Sequence, residues 1–336
     1  MGWVNPLKLV AAFAVICIHV TGPVYEQFGN VPISTWWLAN VINAFSRFAV
    51  PIFVMISGAL LLGKAHHIQE FYQKRGTRIV LPLLAWSLIY IAFRASGGEG
   101  VIHATLSSLV NGKAYGHLWF LTLYLWLILY MPFVSKGLLG LRFQRQDWQI
   151  MGGLMLLTAT LVWFSSLAKH LMQEKVTVFM HFPSFFIYLV LGFLISRHSH
   201  RIRLSISTLL GFFLGINTAA ALINYWICEK FSTYLDYLVL NNLSPLTMVA
   251  TASLFCIFCK LARPLSQLPI PSQLAQCTFG IYLVHPLLLK GVVNKLAFFD
   301  AMPGSLALTG QILVTFLMSL AVIYAVRQSP MGRSIC

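Results

Sequence analysis

The chain has 336 residues, of which 9% are charged and 58% apolar, with a formal net charge of +15. A soluble domain carries about 25% charged residues, so this chain lacks the polar surface that would cover a globule in water. The composition predicts an all-α, polytopic membrane protein and excludes a water-soluble enzyme domain.

A helix crosses the hydrocarbon core with about 20 apolar residues. Ten runs qualify: 6–24, 37–62, 77–95, 117–135, 149–168, 182–196, 206–228, 245–262, 273–298 and 305–326. The first resembles a signal peptide, but no small-x-small cleavage site follows it and more spans come after, so it reads as a retained helix. An outer-membrane barrel would alternate over strands of about ten residues, and these runs do not alternate. With no appended soluble domain and no repeat, residues 1–336 read as a single integral membrane domain.

The basic residues set an orientation. If the N-terminus is cytoplasmic, the inner segments hold Lys8, Lys64, Lys74, Arg75, Arg78, Lys136, Arg142, Arg145, Arg197, Arg201, Arg203, Lys260, Arg263, Arg327 and Arg333. The outer side holds Arg94, Lys113, Lys169, Lys175, Lys230, Lys290 and Lys295, and Arg47 lies inside a span. That asymmetry follows the positive-inside rule and predicts both termini in the cytoplasm. It also accounts for the net charge without a nucleic-acid partner. The six cysteines read as buried thiols; "CIFC" at 256–259 has metal-like spacing but no second ligand pair, so no metal is expected.

Ionisable groups inside a span are costly and therefore informative. No Asp or Glu lies well inside any span, whereas His19, Arg47 and His285 do, and His117 opens the fourth. At 1.5 Å rise per residue, His19 lies about 16 Å above Lys8, Arg47 about 15 Å below Trp37, and His285 about 18 Å above Gln273. Three helices thus bring polar side chains to a similar depth, which predicts one shared pocket. Asn40, Asn43 and Arg47 share one helix face, as do Thr278, Tyr282 and His285. Interhelical hydrogen bonding is the competing reading for each residue taken alone.

At the inner mouth of the third span, "QKRGTRIVLP" (73–82) presents Lys74, Arg75 and Arg78. Ordinary topological anchoring explains them; so does an anion site, because guanidinium forks match phosphate oxygens. Lys8 lies on the same side, and its distance from His19 suits the pantetheine arm of coenzyme A.

At this point the motifs resemble those of the acyltransferase-3 family of integral membrane acyltransferases. A basic residue, ten intervening residues and a histidine appear as Lys8 and His19, where the family more often has arginine. "VPIFVMISGALL" (50–61) is similar to the Phe-rich run ending in Ser57 and Gly58. The paired arginines are Arg75 and Arg78, followed by Pro82; "HLWFL" (117–121) and "TFGIYLVHP" (278–286) complete the order. The resemblance implies about ten helices, cytoplasmic acetyl-CoA as donor, and a cell-surface glycan or lipid-linked sugar as acceptor in a bacterial inner membrane. In size and layout the chain is most similar to the enterobacterial common antigen O-acetyltransferase subgroup. Some larger members carry a late-helix carboxylate beside the histidine; here Glu26 and Asp236 are the substitutes.

The expected chemistry is acyl transfer from a thioester to a sugar hydroxyl. His19 is the expected general base, Arg47 stabilises the oxyanion with Asn43 or Tyr282 as donors, and His285 orients His19 or the acceptor. His117 and Trp119 are expected to contact the acceptor, while Lys8, Arg75 and Arg78 hold the phosphates of the donor. Ser57 is a donor-site residue or the bearer of a covalent acyl group. The rival class is a transporter or flippase of a lipid-linked glycan, for which ten spans and a mid-membrane polar site are also suitable.

Overall fold

Every described regular element is a helix. The structure is a computed structural model and describes residues 2–64, 67–142, 144–147, 149–150, 153–154, 182–231, 239–268 and 271–336. The main helices are α1 Val4–Tyr25, α2 Ile33–Ser46, α3 Ala49–Leu61, α4 Ile68–Ser96, α5 Val101–Asn111, α6 Trp119–Leu138, α7 Phe182–His198, α8 Ile206–Phe231, α9 Pro245–Lys260, α10 Ser272–Gly291, α11 Gly304–Val326 and α12 Pro330–Ile335.

Seven segments are long and apolar enough to cross a membrane: Val4–Tyr25, Ile33–Leu61, Ile68–Ser96, Gly116–Leu138, Ile206–Phe231, Gln273–Lys295 and Gly304–Val326. The protein is a polytopic α-helical membrane protein. The expected span 149–168 falls almost wholly outside the described residues. Two other expected spans are helices shorter than a full crossing, α7 with 17 residues and α9 with 16.

The expected span 37–62 is not one continuous helix. It breaks between α2 and α3, and Arg47 stands at the break. Pro51 explains this. A proline has no N–H for the carbonyl four residues earlier, and its ring clashes with that carbonyl. The carbonyl in question is that of Arg47. Non-helical backbone at membrane depth is tolerated where protein surrounds it, and Ser46, Phe48 and Ala49 beside it are buried.

The chain divides into two compact units. The first comprises Met1–Ala59, Tyr188–Ser329 and Cys336; the second comprises Leu60–Ile187 and Pro330–Ile335. In the first unit α1 packs against α2, α10 and α11, α2 packs against α8, and α8 against α9. Small residues let the helices approach closely. A Cβ on Gly58 would lie 2.0 Å from the Leu189 carbonyl oxygen, and one on Gly192 would lie 2.1 Å from that of Met55. The Ser57-Gly58 pair therefore marks a crossing of α3 with α7. In the second unit α4 packs against α5, α6 and α12, and Trp86 Nε1 donates to the Ile335 carbonyl at 3.0 Å.

One polar network in the first unit is closed. Tyr25 donates to Asn224 Oδ1 at 3.0 Å, Asn224 Nδ2 donates to Asn40 Oδ1 at 3.0 Å, and Asn40 Nδ2 donates to the Ala221 carbonyl at 2.9 Å. All three side chains are buried. Asn40 is thus an interhelical tie between α2 and α8, which is the usual service of a carboxamide in a membrane bundle.

Candidate active site

His19 and His285 meet. Their ring centroids are 4.9 Å apart with the planes tilted by 50°, on α1 and α10. The Arg47 and Lys290 cations both act electrostatically on the His19 imidazole. His19 and His285, brought to a similar depth by counting along their helices, are therefore neighbours within the first unit, and Arg47 is close enough to His19 to act on it electrostatically. Lys290 is an addition to the expected set. Charge counting placed it on the outer side, and it lies in the last turn of α10.

His285 is held by its own helix. Its Nδ1 is 2.8 Å from the Tyr282 carbonyl oxygen and 3.2 Å from that of Ile281. Both partners can only accept, so Nδ1 carries a hydrogen, and Nε2 is buried. Pro286 makes this possible. It brings no N–H to the Tyr282 carbonyl, and His285 takes the place of that donor. The Tyr282 ring lies 6.2 Å from the imidazole.

The same spacing recurs. Pro23 follows His19 by four residues, Pro51 follows Arg47 by four, and Pro82 follows Arg78 by four. Each proline denies its i−4 carbonyl the regular helical donor. The sequence motifs include Pro51, Pro82 and Pro286, but the repeated four-residue offset was not read from them.

Asn43 is fully buried, and its Nδ2 donates to Thr21 Oγ1 at 3.0 Å. Thr21 in turn donates to the Cys17 carbonyl at 2.7 Å. The Asn43 carboxamide oxygen is buried and accepts no hydrogen bond from the described residues. Asn40 and Asn43, although on one helix, thus have different surroundings: the first lies in a closed network, the second keeps an acceptor in reserve. Two α11 hydroxyls, Thr315 and Ser319, are also fully buried without a described partner, and sequence reading did not single them out.

The remaining expected residues are distributed as follows. Lys8 is half-buried in α1; eleven residues make about three turns, so it shares a helix side with His19. Ser57 donates to the Phe53 carbonyl of its own helix at 2.8 Å. Arg75 and Arg78 lie in the second unit, early in α4, where Arg78 is exposed and Arg75 half-buried. His117 is 2% exposed and is clasped edge-on by Tyr90 at 5.0 Å and Tyr115 at 5.9 Å. Trp119 packs on Phe185 at 5.9 Å. Glu26 is exposed at the end of α1, and Asp236 lies outside the described residues. All six cysteines are buried free thiols.

The buried His285 and the half-buried His19 thus form an imidazole pair on helices whose sequences hold no carboxylate. Residues 1–327 match the acyltransferase-3 family, an acyltransferase domain. The chain belongs to that family and is a membrane acyltransferase; nothing in the match favours the transporter reading. No curated protein and no solved structure matches the chain.

Proposed function

We propose that the protein transfers an acetyl group from cytoplasmic acetyl-CoA to a hydroxyl of a cell-surface glycan or lipid-linked sugar, in a bacterial inner membrane with both termini cytoplasmic. The size and motif layout support the enterobacterial common antigen O-acetyltransferase subgroup. The observation that carries the reading is the His19–His285 contact at 4.9 Å under the influence of Arg47.

His19 takes the proton of the acceptor hydroxyl as its oxygen attacks the thioester carbonyl. The C–O bond forms, and the carbonyl electrons move to an oxyanion stabilised by Arg47, with the Asn43 amide or Tyr282 hydroxyl as further donors. Collapse of the tetrahedral intermediate breaks the C–S bond, and the thiolate leaves with the proton that His19 had accepted. General-base help of this kind is worth about 10²–10⁴-fold. His285, fixed through Nδ1, offers Nε2 to orient His19 or the acceptor. Lys8, Arg75 and Arg78 bind donor phosphates, and His117 with Trp119 shape the acceptor side.

The test uses inverted membrane vesicles supplied with acetyl-labelled acetyl-CoA, following label into glycolipid. His19→Ala is expected to abolish transfer, and Arg75→Ala with Arg78→Ala to raise the donor concentration needed. Unchanged transfer by properly inserted His19→Ala would reject His19 as the base.

A further inference from the structure

In the second unit, α5 is amphipathic the wrong way round for a helix in water. Its sequence, VIHATLSSLVN, contains no Asp, Glu, Lys or Arg. With about 3.6 residues per turn, Ala104, Ser107, Ser108 and Asn111 share one face. That face turns inward: Ala104, Ser107 and Ser108 are buried and Asn111 is half-buried. The opposite face carries Val101, Ile102, Leu106 and Leu109, which are 60%, 77%, 49% and 71% exposed. A surface helix of a globular protein in water does the reverse, with its apolar stripe on the core and its polar residues outside.

The inward face is polar because it meets Arg94 at the end of α4. Arg94 Nη2 donates to Ser107 Oγ at 2.8 Å, and Nη1 donates to Ser108 Oγ and the Ala114 carbonyl, both at 3.1 Å. The same guanidinium grips Glu99 with two nitrogens, Nε to Oε2 at 2.7 Å and Nη2 to Oε1 at 2.5 Å. His103, at the border between the two faces, lies with Nδ1 2.8 Å from that carboxylate. Gly112, with φ of 64°, closes α5 in the left-handed conformation, and Thr122 of α6 donates to its carbonyl at 2.6 Å. Polar contacts thus fasten α5 to its neighbours, and they fix which way its apolar face points.

Continuity with α4 identifies what covers that face. α4 is long and apolar enough to cross the membrane, and its Leu81, Leu84 and Leu88, at i, i+3 and i+7, form an exposed apolar stripe for hydrocarbon to cover. α5 packs against α4 at the Arg94 end, about 24 Å along the helix from Arg78 and so near one boundary of a core about 30 Å thick. Eleven residues extend about 16 Å, too short to cross that core. Tyr90 and Tyr115, stacked at 4.6 Å, are of the aromatic type that collects at such a boundary. We propose that α5 is an interfacial helix: it lies in the leaflet remote from Arg75 and Arg78, with Val101, Ile102, Leu106 and Leu109 among lipid acyl chains. Naming that leaflet the outer one rests on the orientation proposed above; the lipid contact does not. Residues 112–116 join α5 to His117, so the contact adjoins the acceptor side of the proposed reaction.

The experiment is electron paramagnetic resonance on the full chain in phospholipid nanodiscs, with a nitroxide carried by a noncanonical residue at position 102, 103, 109, 84 or 74, one at a time. Position 84 lies on the exposed stripe of α4, and Lys74 is exposed near the start of that helix. Molecular oxygen concentrates in hydrocarbon, and a neutral nickel chelate stays in water. Positions 102 and 109 are expected to follow position 84, with oxygen collisions several times more frequent than nickel collisions, while position 74 shows the opposite. Position 103 should meet nickel more often than 102 does. Nickel collisions at 102 and 109 as frequent as at 74 would put the face in water and overturn the proposal. Few collisions with either reagent would mean that protein covers the face, and dipolar broadening that the cover is a second copy; both overturn it. Equal oxygen preference at 102 and 103 would mean a helix sunk in the core, not one lying at its surface, and also overturns it. His19→Ala should give the same collision pattern, which separates failure of this assignment from failure of the transfer reaction.

Discussion

Arg47 and Arg94 each stand where a helix ends, one between α2 and α3 and the other at the close of α4, and the groups described around them differ. Arg94 is held by a carboxylate, two serine hydroxyls and backbone carbonyls. Arg47 acts instead on an imidazole, together with a second cation, Lys290. The helices that meet there, α1, α2, α10 and α11, contain no Asp or Glu. A guanidinium committed to a carboxylate fastens structure. One placed among imidazoles and carboxamides suits charge that develops only during a reaction. Under the proposed function Arg94 is architectural and Arg47 takes part in the chemistry, a division that substitution can break.

The largest expected effect is at the histidine pair. His19→Ala should lower transfer by about 10²–10⁴-fold with the protein still inserted, measured as label appearing in glycolipid. Arg94→Ala in the same assay should instead lower the amount of intact protein, with activity per folded molecule falling far less. If the two variants behave alike, the division of labour between the arginines is wrong.

Pro286 gives a sharper test of the imidazole geometry. Pro286→Ala returns an N–H that competes with His285 Nδ1 for the Tyr282 carbonyl. The substitution also removes a residue that costs a helix interior about 3 kcal/mol, so α10 should not weaken. Transfer should nevertheless fall by roughly tenfold or more, because a misplaced catalytic group forfeits orientation. A helix made more regular with undiminished turnover would show that the ring's tether is irrelevant.

These residues also show what the sequence could reveal. Equal depth along two helices was enough to bring His19 and His285 together, because rise per residue is fixed and the spans are long. The break at Arg47 was missed because an apolar run was read as one helix and the i−4 effect of Pro51 was not applied. Lys290 was missed for a different reason: counting charges by side of the membrane does not give the reach of a side chain from a last helical turn. The Arg94 cluster joins residues on two helices and the turns around them, and no periodicity in the chain announces it. Asn40 and Asn43 share a helix face, so their separation into a tie and a reserve acceptor depended on the neighbours in α1 and α8.

Arg94→Lys should have a smaller effect than any change at the histidines. Lysine keeps the charge but not the planar fork, so at least one charge-assisted bond is lost, at a cost of about 2 kcal/mol. The loss is local. Limited proteolysis should cut faster between residues 97 and 116, while the first unit stays as resistant as in wild type. Equal protection of 97–116 in both proteins would mean that Arg94 does not fasten this segment.

The smallest effect is a pH response of the same fastening. Arg94 beside Glu99, with His103 Nδ1 at 2.8 Å from the carboxylate, holds the Glu99 carboxyl down from 4.5 to about 2. A depressed carboxyl favours the folded arrangement above its unfolded value and loses that contribution as pH falls toward the folded value. The window is therefore pH 4.5 down to about 2. Amide exchange of residues 101–116, corrected for the intrinsic rate, should accelerate across it. Glu99→Gln should flatten the dependence, because the group that titrates is gone and the amide keeps only part of the grip on Arg94. Acceleration that persists in Glu99→Gln would assign the acid response to another carboxyl and leave the Arg94 clasp insensitive to pH.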